Sequence, residues 1–376
     1  MKKILLIASV DFHFTSFHIP YIEYFQQRGA EVHIAARSGE RTKELESMGV
    51  IFHPIDFSRS PYSPKLFRAF AELKNLMATE RFDLVHVHTP VAAFLGRFVA
   101  KITKTEPVLY TAHGFHFYKG APILNWLIYY PMEKIAARWT HGLITINHED
   151  YERGKSFHLK RKDGLFYVHG VGLSLENYSV PQNFDKEAQK EAMGFKESDQ
   201  LLVCVGEFTK NKNQRQIIHA MQEVLKIDPS IHLLLVGRGE EEEHLKSWVE
   251  KLNISKNIHF LGYRRDIPEI LWAGDAFILT SKREGLPRAV MEAMAAGLPI
   301  IATDIRGNKD LITHGEEGYL VPIGDIEKTK EAILKIMKDS EQVKEMRHKV
   351  KEKIKTYSIE NTLLEMDKIY RIFINM

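Results

Sequence analysis

At 376 residues the chain is too long for one ordinary hydrophobic core, so two domains are expected, and 44% hydrophobic with 27% charged content is that of a globular protein. No apolar run reaches the ~18 residues that a membrane-spanning helix needs, and a net charge of only +3 argues against a dedicated nucleic-acid binder. The lone cysteine, Cys204, excludes an internal disulfide and suits a reducing, cytoplasmic setting. The charge is uneven: residues 1–180 carry 22 Lys+Arg against 17 Asp+Glu, leaving 30 against 32 for residues 181–376. A basic first half is an ordinary solvated surface, or one that faces anionic lipid or a diphosphate-bearing acceptor.

Met1-Lys2-Lys3 and the apolar run 4–8 have the outline of a signal peptide. Asp11 and His13 interrupt it and no small-residue cleavage site follows, so a buried first strand is expected. Short apolar runs at 4–9, 32–36, 84–88, 108–112 and 143–146 then alternate with amphipathic stretches at 17–28, 64–80, 91–104 and 123–139, the pattern of parallel βαβ units. Gly29 stands where a helix should end. A Gly/Pro/Asn-containing stretch over 170–199 interrupts the alternation, placing a boundary near 172–185. It resumes with strands at 201–205, 233–236, 258–261, 277–279 and 300–302 and helices at 214–226, 241–252, 287–296 and 326–338. Residues 358–374 form an amphipathic helix with Leu363, Leu364, Met366, Ile369, Tyr370 and Phe373 as its apolar positions. The expectation is α/β: two doubly wound Rossmann-like domains facing a central cleft, 1–175 and 176–357, with a helix at 358–376 crossing back to the first. Ligands of such sheets bind beyond the carboxyl ends of the strands.

Several nucleotide chemistries are excluded. There is no G-x-x-x-x-G-K-[ST] loop and no G-x-G-x-x-G; Gly237-Arg238-Gly239 starts one, but three glutamates follow. No Asp-x-Asp triplet offers ligands for a metal bridging a diphosphate. His86-Val87-His88, alternating along a strand, is read as placing its two rings on opposite faces, hence as structural rather than metal-binding.

What remains is the stretch 280–304. Its loop carries Glu284-Gly285, Pro287 suits a first helical turn, and the Ala/Met-rich helix ends at Gly297 before Pro299. The free amides around 285–288 and the positive end of the helix dipole make an anion site suited to a diphosphate. Glu284 before the helix and Glu292 one turn into it are carboxylates able to accept hydrogen bonds from a pyranose and a ribose at the two ends of one ligand. Either glutamate alone reads as a dipole partner or a solvent-facing residue; the whole constellation favours the functional reading.

Glu284 and Glu292 within E-G-L-P-R-A-V-M-E-A-M-A-A-G-L-P resemble the signature of the family-4 retaining glycosyltransferases of the GT-B fold, and the likeness extends over nearly the whole chain. The resemblance implies that Glu284 contacts the transferred sugar and that Glu292 holds the ribose; Gly285, Leu286, Pro287 and Arg288 are the diphosphate contacts read from the helix start. The stretch 205–213 looks like the family's next donor loop, with Gly206 at its turn and Lys212 on the diphosphate. Many members carry an arginine where this chain has Glu207, and Lys210 or Arg288 is the expected substitute; Asp310 stands where many have a glutamate. Tyr110-Thr111-Ala112-His113-Gly114-Phe115 is similar to the family's His-Gly motif, which puts His113 beside the reacting sugar. The loop 10–17 matches the family's donor and acceptor loop without its glycine pair, with Ser9, Thr15, Ser16 and Phe115 as its candidate contacts.

The resemblance further implies retention of configuration, no metal and no other cofactor. The donor implied is a UDP-sugar, and the acceptor a glycan linked to polyprenyl diphosphate in capsule or exopolysaccharide assembly, at the cytoplasmic face of the membrane. Residues 115–120 and 123–130, aromatic, apolar and basic, read as a core helix or as peripheral contact with anionic lipid. Two other readings stay open: a UDP-sugar epimerase of similar fold, and a non-catalytic nucleotide-sugar-binding protein.

Overall fold

A computed structural model describes residues 1–58, 63–338 and 340–375. Among the described residues thirteen strands form two parallel sheets, each wound on both faces by helices. The first contains β1 (Lys3–Val10), β2 (Glu31–Arg37), β3 (Ile51–Pro54), β4 (Leu84–Val87), β5 (Val108–Ala112), β6 (Gly142–Thr145) and β7 (Leu165–Tyr167), in the order β3-β2-β1-β4-β5-β6-β7. The second contains β8 (Gln200–Val205), β9 (Ile231–Val236), β10 (Ile258–Gly262), β11 (Ala276–Leu279), β12 (Ile300–Thr303) and β13 (Gly318–Val321), in the order β10-β9-β8-β11-β12-β13.

Alternation along the central strands explains the double covering. In β1, Leu5 and Ile7 enter one hydrophobic cluster while Ile4, Leu6 and Ala8 enter another on the opposite face. In β8, Leu201 and Val203 separate from Leu202 and Cys204 in the same way. Each buried Leu or Ile contributes roughly 1.5–3 kcal/mol, so no central strand is free to slip by one residue. Cys204 is therefore a core side chain.

The contacts divide the chain into Met1–Gly172 with Ile359–Met376, and Leu173–Ser358. The helix Ile359–Phe373 packs Met366, Ile369 and Tyr370 into the first unit, where Asp367 accepts a hydrogen bond from Tyr24 at 2.7 Å and Glu365 meets His169 Nδ1 at 2.6 Å. In each sheet the strand order reverses at one central point, between β1 and β4 and between β8 and β11. The loops leaving the carboxyl ends of these strands carry the polar groups of interest.

Candidate functional site

In the second unit the loops after β8, β11 and β12 converge. Asn211 and Asn213 fasten the first to the second: Asn211 donates to the Arg283 carbonyl at 3.1 Å and Asn213 to that of Thr280 at 3.2 Å. This fastening brings Lys212 Nζ within 2.7 Å of Glu284 Oε1, a pair with side chains 23% and 13% exposed. Gly206 turns the chain at the end of β8, its N–H bonded to the Val236 carbonyl at 2.9 Å. A Cβ at Gly237 would lie 2.1 Å from the Gly206 oxygen and one at Gly239 2.2 Å from that of Phe208. Those two glycines are thus spacers that let β9's loop approach the Lys212 loop, which accounts for the incomplete dinucleotide motif.

The helix Arg288–Ala295 follows, with Pro287 as its N-cap and no side chain capping it. Its positive end therefore faces the loop that carries Glu284. One turn in, Glu292 Oε1 accepts from Arg288 Nε at 2.9 Å and from the Tyr178 hydroxyl at 2.8 Å. Burial and the Glu292 charge push the Tyr178 hydroxyl well above its ordinary pKa, so it remains a donor. Arg306, buried after β12, donates to the Glu284 carbonyl at 3.2 Å. Gly307, at φ +80°, comes so close that a Cβ there would sit 2.4 Å from the Gly285 oxygen. Sequence reasoning passed over Tyr178 and Arg306: Tyr178 lies 114 residues before its partner, with no motif around it.

Of the substitutes considered for an arginine at 207, Arg288 is engaged by Glu292, and Lys210 is exposed, as Glu207 is. Asp310 accepts from the Gly307 N–H at 3.3 Å, at the start of the helix Asn308–Leu311.

In the first unit, Ser9 at the end of β1 is hydrogen-bonded through N–H and Oγ to the Thr89 hydroxyl, at 3.0 and 2.9 Å. Thr89 is held at φ +60°, a strained conformation for a β-branched residue. Ser9, Phe12, His13, Phe17, His116 and Tyr129 contribute to the lining of a cavity of about 360 Å³. Thr15 and Ser16, on the helix Phe12–Phe17, are not among its lining residues; Thr15 donates to the Phe12 carbonyl at 3.3 Å.

Two expectations need correction. Phe115 is buried, its ring stacked on Phe117 at 4.8 Å and packed in the core, so it offers no surface to a ligand. The rings of His86 and His88 do not lie on opposite faces: their centroids are 4.3 Å apart, because residues two apart on a strand share a face. His86 is held by Thr111 Oγ1 at 2.8 Å and the Tyr370 hydroxyl at 3.1 Å, a structural role. His88 instead reaches His113, Nδ1 to Nε2 at 3.2 Å, with His13 and His18 against them. Burial pushes His113 down to about 4, so its ring is neutral near pH 7.

Two family models match the chain. One described as Glycosyl transferases group 1 covers residues 185–356, and one described as Glycosyl transferase 4-like covers residues 3–147. Over 378 residues the chain is 38% identical to EpsD of Bacillus subtilis (strain 168), which carries a glycosyltransferase name; the match spans 100% of this chain and 98% of that one. It is 29% identical over 353 residues to the UDP-Gal:alpha-D-GlcNAc-diphosphoundecaprenol alpha-1,3-galactosyltransferase of Escherichia coli, covering 91% of this chain and 88% of the relative. Among solved structures, Anabaena HepE in complex with UDP and glucose aligns with a TM-score of 0.81 at 18% identity, over 99% of this chain and 100% of that one, a likeness of fold.

Proposed function

The chain belongs to the glycosyltransferases that these models describe, with the GT-B fold, and on that premise we propose that it transfers a hexose or N-acetylhexosamine from a UDP-sugar to a saccharide carried on polyprenyl diphosphate. The observation that carries the donor half is the Lys212–Glu284 pair at 2.7 Å beside the uncapped helix Arg288–Ala295. A cation and a helix N-terminus suit a diphosphate; Glu284 then has a sugar hydroxyl to accept from, and Glu292 a ribose. The diphosphate charge is met by these groups, so transfer is proposed to run without a metal.

Transfer is proposed to retain configuration. The bond from the anomeric carbon to the diphosphate oxygen breaks, the acceptor hydroxyl oxygen bonds on the same face, and its proton passes to the leaving phosphate. Lys212 and the helix end stabilise the departing charge and Glu284 orients the sugar; a neutral His113 is the first unit's proposed sugar contact, on the family resemblance. The lipid-linked acceptor is supported by the Escherichia coli relative's name and by the surface of the first unit. There the helix Ile123–Ala137 exposes Ile123, Leu124 and Leu127, and Phe67, Phe70, Phe94, Phe98 and Met132 help line an apolar cavity of about 540 Å³. These residues, with exposed Lys119, suit peripheral contact with an anionic membrane; Phe115 and Phe117 are buried and take no part.

The test is a panel of UDP-, GDP- and ADP-sugars with and without a polyprenyl-diphosphate saccharide, in EDTA. The expected outcome is acceptor-dependent release of UDP. A new UDP-sugar formed from donor alone would mean an epimerase, and binding without turnover a non-catalytic module.

A further inference from the structure

Four imidazoles meet at the carboxyl edge of the first sheet, brought there by separate segments. His13 lies on the helix Phe12–Phe17 after β1, His18 follows that helix, His88 follows β4 and His113 follows β5. One nitrogen from each lies within 4.8 Å of those from the other three. His18 and His88 are buried, at 4% and 1% exposure. The arrangement is costly as it stands: His13 Nε2, His18 Nδ1 and His88 Nε2 are buried with no hydrogen-bond partner. An unsatisfied buried nitrogen costs about 1–3 kcal/mol, and three in one cluster point to a shared occupant. Phe14 packs edge-on against the rings of His13, His18 and His88, closing one side with an apolar wall.

We propose that His13, His18, His88 and His113 form a binding site for one divalent transition-metal ion of the zinc class. Neutral imidazole is the preferred nitrogen ligand of such ions, and four imidazole side chains offer no carboxylate to a hard cation such as Mg²⁺. Burial holds all four rings below the ordinary histidine pKa, with neighbouring imidazoles adding to the effect at His13, His18 and His88. Zinc–nitrogen bonds of about 2.1 Å set tetrahedral ligand nitrogens roughly 3.4 Å apart. The four nitrogens, all within 4.8 Å of one another, reach that spacing when side-chain rotation closes the widest pairs by about 1.4 Å. His86, satisfied by Thr111 and Tyr370, backs His88 without entering the set.

Occupation has a consequence for transfer, which rests on the role proposed for His113. The ion takes that ring and sets positive charge beside an oxocarbenium-like transition state, so bound metal inhibits.

The test uses the full chain stripped by chelator, with Zn²⁺ or Co²⁺ alone as probe. Expected are one ion per chain and the intense visible bands of tetrahedral Co²⁺. His13→Gln and His18→Gln should each weaken affinity at least about tenfold, and His158→Gln, an exposed control, should leave it unchanged. Lack of stoichiometric binding, a weak octahedral Co²⁺ spectrum, or folded His13→Gln and His18→Gln proteins that bind like the parent would overturn the site; the wild-type spectrum decides even where a variant fails to fold. In the transfer assay, zinc should inhibit the parent at least about tenfold more strongly than His18→Gln. Tight tetrahedral binding with undiminished transfer would overturn the inhibition and the role of His113 together, leaving the metal site standing.

Discussion

Replacing Glu284 by glutamine separates binding from chemistry in the donor site. In the free protein Lys212 Nζ is held by Glu284 Oε1 at 2.7 Å, in a pair only partly shielded from water at 23% and 13% side-chain exposure. Such a pair contributes up to about 1 kcal/mol, which must be given up when Lys212 turns to a diphosphate. Glu284→Gln removes that competition, so UDP should bind up to about fivefold more tightly. The same change weakens the acceptor of the sugar hydroxyl and removes a negative charge beside a developing cation, an effect of about 2.7–4 kcal/mol on the barrier by comparison with the loss of one stabilising group in other enzymes, or 10²–10³ in turnover. Calorimetry with UDP and a steady-state transfer assay read the two halves. The reasoning fails if UDP affinity falls along with turnover, since Glu284 would then be holding the nucleotide, or if a folded Glu284→Gln protein transfers at the parental rate.

Glu292→Ala should weaken UDP about 30-fold by removing a charged acceptor worth roughly 2 kcal/mol, whereas Tyr178→Phe, which deletes one donor to Glu292, should cost about fivefold; equal effects in a titration would mean that Tyr178 touches the ligand itself. Gly307→Ala puts a Cβ 2.4 Å from the Gly285 oxygen at φ +80°, so a cost of about 2 kcal/mol should lower the melting temperature by about 4–8 °C and impair UDP binding; an unshifted melting curve would show that the loop yields. Burial pushes the Cys204 thiol up to about 12, so native protein at pH 8 should not react with an aromatic disulfide reagent and unfolded protein should release one equivalent; fast native labelling would contradict the core assignment. Leu127→Asp with Phe67→Asp should abolish flotation with anionic vesicles while leaving UDP affinity unchanged, and persistent flotation would move the lipid contact elsewhere.

The strands legible from sequence are chiefly those covered on both faces. β1, β5, β8 and β12 are continuous apolar runs, and their ends were read to within a residue or two. β3, β7 and β13, which were not read, are three- or four-residue edge strands, and the half-exposed β7 shows little hydrophobic pattern. The Glu284–Glu292 stretch was legible because loop, helix start and helix exit are contiguous. Tyr178, Arg306 and the pairing of Lys212 with Glu284 were not, since each depends on which loops the sheet order brings together. The histidine cluster was misread for a simpler reason: period two puts His86 and His88 on the same face, so the spacing itself already pointed to adjacent rings.

The two sheets share a plan whose chemical filling differs. β1, β4 and β5 stand in the first sheet where β8, β11 and β12 stand in the second, on either side of the reversal in strand order. In the second unit the three loops at those ends carry Lys212, Glu284 and Arg306: Lys212 pairs with the Glu284 carboxylate, and Arg306 donates to the backbone carbonyl of the same residue. In the first unit the same three positions carry His13, His88 and His113, neutral rings of which the first two each have a buried nitrogen without a partner. A scaffold that concentrates free polar groups at its switch point will accept whichever chemistry its loops bring there. Family membership therefore speaks for the second unit's charged loops, whereas the first unit's histidines have to be explained from their own geometry.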